Sequence, residues 1–173
     1  MKCFPFMVNI EGKSCLIVGG GAVALRKAEK LLPFGVKLSV CAKDACPALL
    51  PYLCAEEYAE RLLCGADFVV AATDDKALNA RVASDCRERG IPVNSVDDRE
   101  NCDFYFPALI GRGSVTVGIS TGGASPALAA ALREYIEVLL PDDLGGIAEK
   151  AEKLRGKEGY AQYIRSALGR DAE

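Results

Sequence analysis

Cys15-Leu16-Ile17-Val18 is a short, unbroken apolar run, the pattern of a strand buried on both faces of a parallel sheet, and three glycines follow it at once. From about Val23 the apolar spacing turns helical, with Val23, Ala24, Ala28, Leu31 and Leu32 on one side and Arg26, Lys27, Glu29 and Lys30 on the other. Gly35 breaks that helix, and Lys37–Cys41 (KLSVC) reads as a second strand. From Asp44 to Cys54 the chain is irregular, Pro47 and Pro51 limiting any helix, with a weak strand predicted near Ala55–Tyr58. Asp67–Thr73 (DFVVAAT) is the next buried strand. Asp74 or Asp75 then caps a helix over Lys76–Arg89, whose Leu78, Val82 and Cys86 share a face, and Gly90 ends it. Pro92–Val96 begins another strand and Phe104–Ile110 another still. Upstream, Phe4, Phe6, Val8 and Ile10 stand at period two and predict an extended lead-in, an edge strand or strap. Strands alternating with helices predict an α/β fold: a parallel sheet with right-handed crossovers and ligands at the carboxyl ends of its strands.

The character changes at Gly111–Gly113. Ser114–Ser120 (SVTVGIS) alternates like a half-exposed strand, and Thr121-Gly122-Gly123-Ala124-Ser125-Pro126 follows. Ser125 suits a helix cap and Pro126 the first helical position. The helix Pro126–Leu140 carries Leu128, Leu132, Tyr135, Ile136 and Leu139 as a stripe, Pro141 stops it, and further helices are predicted at Leu144–Leu154 and Tyr160–Leu168. One strand and two or three amphipathic helices after a complete nucleotide fold predict a separate helical unit, and such stripes often seek a second subunit.

Composition narrows the function. The 173 residues suffice for one ordinary domain plus an appendage, and half of them are apolar. A net charge of −3 with both signs interspersed argues against nucleic acid or an anionic membrane as partner. The apolar runs are too short to span a bilayer, and the first residues lack a sustained apolar core and cleavage site, which together predict a cytoplasmic protein. Eight cysteines, at 3, 15, 41, 46, 54, 64, 86 and 102, include no C-x-x-C pair, and histidine is absent. That spacing predicts reduced, mostly structural thiols and no metal site, and leaves any acid–base work to Asp, Glu, Lys, Tyr or Cys.

The first strand, glycine turn and helix fit G-x-G-x-x-A at Gly19, Gly21 and Ala24. Gly19 would allow a tight turn, Gly21 a close approach of backbone to a pyrophosphate, and Ala24 close helix–strand packing. The helix N-terminus offers N–H groups and a positive dipole end to the phosphates. A ribose-binding acid normally ends the second strand of such a unit, whereas this chain has Cys41 there and Asp44 three residues later, so NAD and NADP both stay open; Lys43 could greet a 2′-phosphate. Asp97, just past the strand beginning at Pro92, stands where a base at the sheet's carboxyl edge should be, with Asp98 and Asp103 as candidates for secondary roles.

Four blocks, CLIVGGGAVALRKAEKLL (15–32), VVAATDD (69–75), VNSVDDRENCDFYFPALI (93–110) and GISTGGASPALAAALRE (118–134), together resemble the precorrin-2 dehydrogenase family, part of sirohaem synthase. The resemblance runs from about Phe6 to Leu154. It implies a Rossmann-type NAD-binding domain over 1–112, a small dimerisation strand–helix unit over 113–142 and a helical C-terminal part over 143–173. It implies NAD-dependent oxidation of the tetrapyrrole precorrin-2 to sirohydrochlorin by a homodimer. It assigns the cofactor to the positions of Ala22, Val23, Lys43 and Asp44 and catalysis to Asp97; Gly19 and Gly21 of the glycine turn and Thr73 and Asp74 after the DFVVAAT strand complete the candidate cofactor site. The substrate turn is assigned to Thr121, Gly122, Gly123 and Ser125. Because the implied substrate carries many carboxylates, the Gly122-Gly123 N–H groups and the dipole end at Pro126 would suit it, with Arg112 and Arg133 as lesser candidates. Two alternatives stay open: a bifunctional enzyme that also inserts Fe2+, using carboxylates or thiols alone, and a nucleotide-sensing regulatory domain without turnover. A third, metal delivery by the cysteines, predicts tightly bound metal.

Overall fold

A computed structural model describes residues 3–96 and 98–169; Asp97, the candidate base, lies outside the described residues. Five strands build one sheet: β1 (Ser14–Val18), β2 (Lys37–Cys41), β3 (Leu53–Ala55), β4 (Phe68–Ala71) and β5 (Val93–Ser95), in the spatial order β3-β2-β1-β4-β5. All four pairings are parallel. β1 and β4 are the central strands because their side chains are apolar without interruption: Ile17, Val69 and Val70 are fully buried, as unbroken runs between two helical layers must be. Burial of each such side chain contributes roughly 1.5–3 kcal/mol.

Helix α1 (Ala22–Leu31) packs Ala24 and Ala28, both fully buried, as the two small residues of its inner face. Pro33 lacks the N–H that would continue the helix, so Leu32 belongs to a 3-10 turn, Leu32–Phe34, closed by Gly35 at φ +72°. Helix α2 (Lys76–Glu88) starts at Asp75, whose carboxylate accepts from the N–H groups of Ala77 and Leu78. Its buried face is Asn79, Val82, Ala83 and Cys86, with Leu78 half-buried at the edge, which shifts the predicted stripe by one position.

Three other expectations change. The weak strand is Leu53–Ala55, two residues before the predicted Ala55–Tyr58, because it follows directly on the 3-10 turn Pro47–Tyr52 that the two prolines allow. Phe104–Ile110 does not extend the parallel sheet. Its strand is Ala108–Arg112 (β6), paired antiparallel with β7 (Val115–Ile119) in a separate two-stranded sheet. Pro107 has no N–H for a ladder, the Phe104 carbonyl accepts from Asn94 Nδ2, and the Phe104 ring meets the edge of Phe68 at 5.9 Å. The period-two lead-in forms no strand either: Phe4, Phe6 and Val8 are largely exposed, so that pattern covers no sheet face among the described residues.

Phe6–Tyr105 is one compact unit, and the chain from Phe106 onward belongs to a second. In the second unit β6 and β7 turn at Gly113 (φ +59°), and α3 (Pro126–Glu137), α4 (Leu144–Leu154) and α5 (Tyr160–Ala167) follow. A Cβ on Gly145 of α4 would come within 3.2 Å of the Gly113 Cα, so the hairpin turn and α4 meet through two glycines. Lys150 of α4 lies over the Tyr163 ring of α5, 4.6 Å from its centre. α3 ends at Glu137, three residues short of the predicted Leu140. No described helix is long and apolar enough to cross a membrane.

Candidate functional site

The glycine turn sits at the carboxyl end of β1, and its three glycines do three different things. Gly19, at φ +124°, lies against the Ala72 backbone: a Cβ would face the Ala72 carbonyl oxygen and come 2.6 Å from its carbon. Its N–H donates to the Cys41 carbonyl at 2.9 Å. Gly20, to which the sequence motif gives no role, is the tightest of the three. A Cβ there would meet the Asp44 carbonyl oxygen, the Ala45 Cα at 2.7 Å and the Ala42 Cβ at 2.8 Å, and its own carbonyl accepts from the Cys46 N–H at 2.8 Å. Gly21 is the opposite case. It has an ordinary extended backbone (φ −79°, ψ −173°), and a Cβ there would meet nothing within 4 Å. It is the N-cap of α1, and no side chain caps that helix end. An open, glycine-lined approach to an uncapped helix N-terminus fits a pyrophosphate by shape and by charge.

Beside the turn, past the ends of β1, β2 and β4, lies a cavity of about 320 Å³. Val18, Cys41, Lys43 and Thr73 line it, as do Glu56 and Glu57 just beyond β3. Burial pushes the Cys41 thiol up to about 11, with Cys54 adding to the shift, so it faces this edge as a neutral group. Lys43 and Asp44 are exposed at the same edge, as is Asp74. Thr73 is held rigidly. Buried Asn79 accepts from its N–H (3.1 Å) and its hydroxyl (2.7 Å), and donates from Nδ2 to its carbonyl (2.9 Å). Sequence reasoning missed Asn79. Its signal was an amide falling on the apolar face of a helix, where a buried polar side chain requires partners.

β5 leads into the loop that carries Asp97. Its neck is a short ladder: an antiparallel bridge joins Asn94 and Cys102, Asp103 N–H donates to the Val93 carbonyl, and the Asp103 carboxylate accepts from the Val93 N–H. Cys102 Sγ accepts from the Ser95 N–H at 3.2 Å and lies 3.0 Å from the Ser95 carbonyl and 3.1 Å from that of Asp98. Asp98 accepts from the N–H groups of Glu100 and Asn101 and from Asn101 Nδ2, which holds its carboxyl below the usual range. Asp98 and Asp103 are thus built into the loop. From α1, Lys27 has its ammonium pulled down to about 8, by burial first and then by Lys30, with Cys102 opposing.

The second candidate turn belongs to the second unit, at the head of α3. Thr121 Oγ1 accepts from the Ser125 N–H (3.1 Å) and donates to the Ser125 carbonyl (3.0 Å), while Ser125 Oγ caps the helix by accepting from the Leu128 N–H. Gly122 and Gly123 both have positive φ, +62° and +80°, and the Gly122 N–H donates to Ser120 Oγ. Arg112 and Arg133 both pair with Glu137, whose carboxyl is lowered by them.

All eight cysteines are free thiols. Burial pushes Cys15 up to about 12 and Cys86 up to about 11. Among the described residues no group of three or more Cys, Asp or Glu side chains is arranged to hold a metal ion.

Comparison with known proteins gives two family matches. The NAD(P)-binding family covers residues 6–108, and the sirohaem biosynthesis protein central family covers 112–139. A sirohaem synthase of Sodalis glossinidius is 40% identical over 178 residues, covering 98% of this chain and 37% of that protein. One from Photorhabdus laumondii is 43% identical over 162 residues, covering 90% and 34%. The chain thus spans about a third of the length of these curated relatives. A solved structure described as SirC, precorrin-2 dehydrogenase, shares the fold with a TM-score of 0.72 at 22% identity, covering 99% of this chain and 90% of that one.

Proposed function

We propose, starting from a chain that belongs to the NAD(P)-binding family over residues 6–108 and matches the sirohaem biosynthesis protein central family over 112–139, that it oxidises precorrin-2 to sirohydrochlorin. The observation that carries this reading is the open approach at Gly21 to the uncapped head of α1, beside a cavity at the carboxyl edge of the sheet. NAD+ held there would supply the hydride acceptor for the substrate. This chain's residues do the rest. Gly19 and Gly20 keep the turn flush with its neighbours, Gly21, Ala22 and Val23 would hold the pyrophosphate, and Lys43, Asp44, Thr73 and Asp74 would border the nucleotide. Asp97 takes the proton that leaves with the hydride. The substrate therefore loses two electrons and two hydrogens and gains one double bond, and the products are NADH and a protonated carboxyl. The described residues on either side of Asp97 are joined at Asn94, Cys102 and Asp103.

The substrate's carboxylates are assigned to the turn Thr121–Ser125, where Gly122 and Gly123 lead into the positive end of α3. The protein acts as a homodimer: Leu128, Tyr135, Val138 and Leu139 on and just after α3 are 53%, 66%, 80% and 65% exposed, a stripe that a second copy would cover. Its thiols are all free, which suits the reducing cytoplasm. The test is direct. Given precorrin-2 and NAD+, the protein forms sirohydrochlorin, and Asp97→Ala abolishes this while NAD+ binding is retained. Normal turnover by that variant would remove Asp97 from the mechanism.

A further inference from the structure

The cavity edge holds a charge arrangement that the first strand–helix unit does not explain. The residue ending β2, where a carboxylate would receive the ribose hydroxyls, is Cys41, a thiol kept neutral by burial. The sheet supplies carboxylates by another route. β3 lies beside β2 and runs parallel to it, with Ala55 in register with Cys41. The next two residues, Glu56 and Glu57, therefore arrive at the same carboxyl edge one strand further out. Both line the cavity together with Val18, Cys41 and Thr73. Both are exposed at its rim. Tyr58 follows them and also lines the cavity, its hydroxyl donating to Asp85 at 2.9 Å. The opposing charge lining the cavity is Lys43. Two carboxylates against one ammonium leave the rim negative.

We propose that Glu56 and Glu57, delivered by β3, take the place of the missing strand-end acid: they accept the hydroxyls of the adenosine ribose and select NAD+ over NADP+. The inference rests on the dinucleotide reading above and deepens it. A ribose with both hydroxyls free donates two hydrogen bonds to carboxylate oxygens. A 2′-phosphate removes one donor and sets a doubly charged group against two anions, which Lys43 alone does not offset.

The test is equilibrium calorimetry with NAD+ and with NADP+ as separate titrants, on the wild type, Glu56→Gln, Glu57→Gln, the double variant and Lys43→Met. These side chains are at the surface, and thermal unfolding checks that each variant is folded. The wild type should bind NAD+ at least about tenfold more tightly than NADP+. The double variant should bring the two to within about threefold, with NAD+ itself weakened, and Lys43→Met should widen the gap. A double variant that is folded and keeps the wild-type ratio overturns the proposal while leaving dinucleotide binding intact, as does a wild type that prefers NADP+. A wild type that binds neither titrant overturns the dinucleotide reading as well.

Discussion

Replacing Gly21 with alanine separates the stability of the glycine turn from its use as a binding surface. The backbone there is one that any L-residue adopts, and the added methyl meets no protein atom within 4 Å. Loss of unfolded-state freedom stabilises such a variant by about 0.4–1 kcal/mol. Alanine is a poorer N-cap than glycine by a similar amount, so the net change should lie within about 0.5 kcal/mol of zero. A pyrophosphate seated on this turn would meet the methyl directly. Overpacking of about 1–3 kcal/mol corresponds to about a fivefold to 150-fold loss of NAD+ affinity. Gly20→Ala should behave in the reverse order. Its Cβ falls on the Asp44 carbonyl, the Ala45 Cα and the Ala42 Cβ, all close to the backbone, so the 42–46 segment must move at a cost of about 2 kcal/mol or more. Urea unfolding without ligand and calorimetric titration with NAD+ measure the two quantities separately. If Gly21→Ala binds NAD+ as the wild type does, the pyrophosphate does not lie on this turn and the reasoning fails.

Asn79→Ala should cost about 2–4 kcal/mol in urea unfolding, because it leaves the Thr73 N–H and carbonyl without their partner; a cost below about 0.5 kcal/mol would mean water replaces the amide freely. Cys15, Cys41 and Cys86 have pKa values raised above the ordinary value of 9.0, so their stabilising contribution is fully present below pH 9 and is lost as pH rises through about 11 to 12. Unfolding midpoints should fall over that window, and thiol labelling of the native protein should spare these three. Tyr135→Glu with Leu139→Glu, both at exposed positions of the α3 stripe, should convert a dimer to a folded monomer in sedimentation; an unchanged mass would place the interface elsewhere.

Where one residue type had one structural solution, the sequence was readable. The runs at 15–18 and 68–71 are apolar without interruption and could only be interior strands. Ser125-Pro126 and Gly35 mark helix boundaries by their own stereochemistry. The Phe104–Ile110 segment reads as one strand because its apolar run continues through Pro107, and only the pairing of β6 with β7 shows which half is strand. The lead-in at Phe4–Ile10 shows the same limit: alternation predicts a strand only if a neighbouring strand is available to pair. At the candidate site, the strand, glycine turn and helix around Gly19, Gly21 and Ala24 were legible from spacing. The contacts of Gly20 with the 42–46 segment, those of Asn79 with Thr73, and the register that brings Glu56 and Glu57 to the end of β2 were not, since each depends on how the chain folds back on itself.

The central claim is that this chain couples dinucleotide reduction to tetrapyrrole oxidation. Anaerobic single-turnover mixing of the protein with precorrin-2 and NAD+ follows both products at once. One NADH should form for each sirohydrochlorin, and neither product when NAD+ is omitted. Tight NAD+ binding with no NADH in the presence of precorrin-2 would contradict it and leave a nucleotide sensor in place of an enzyme.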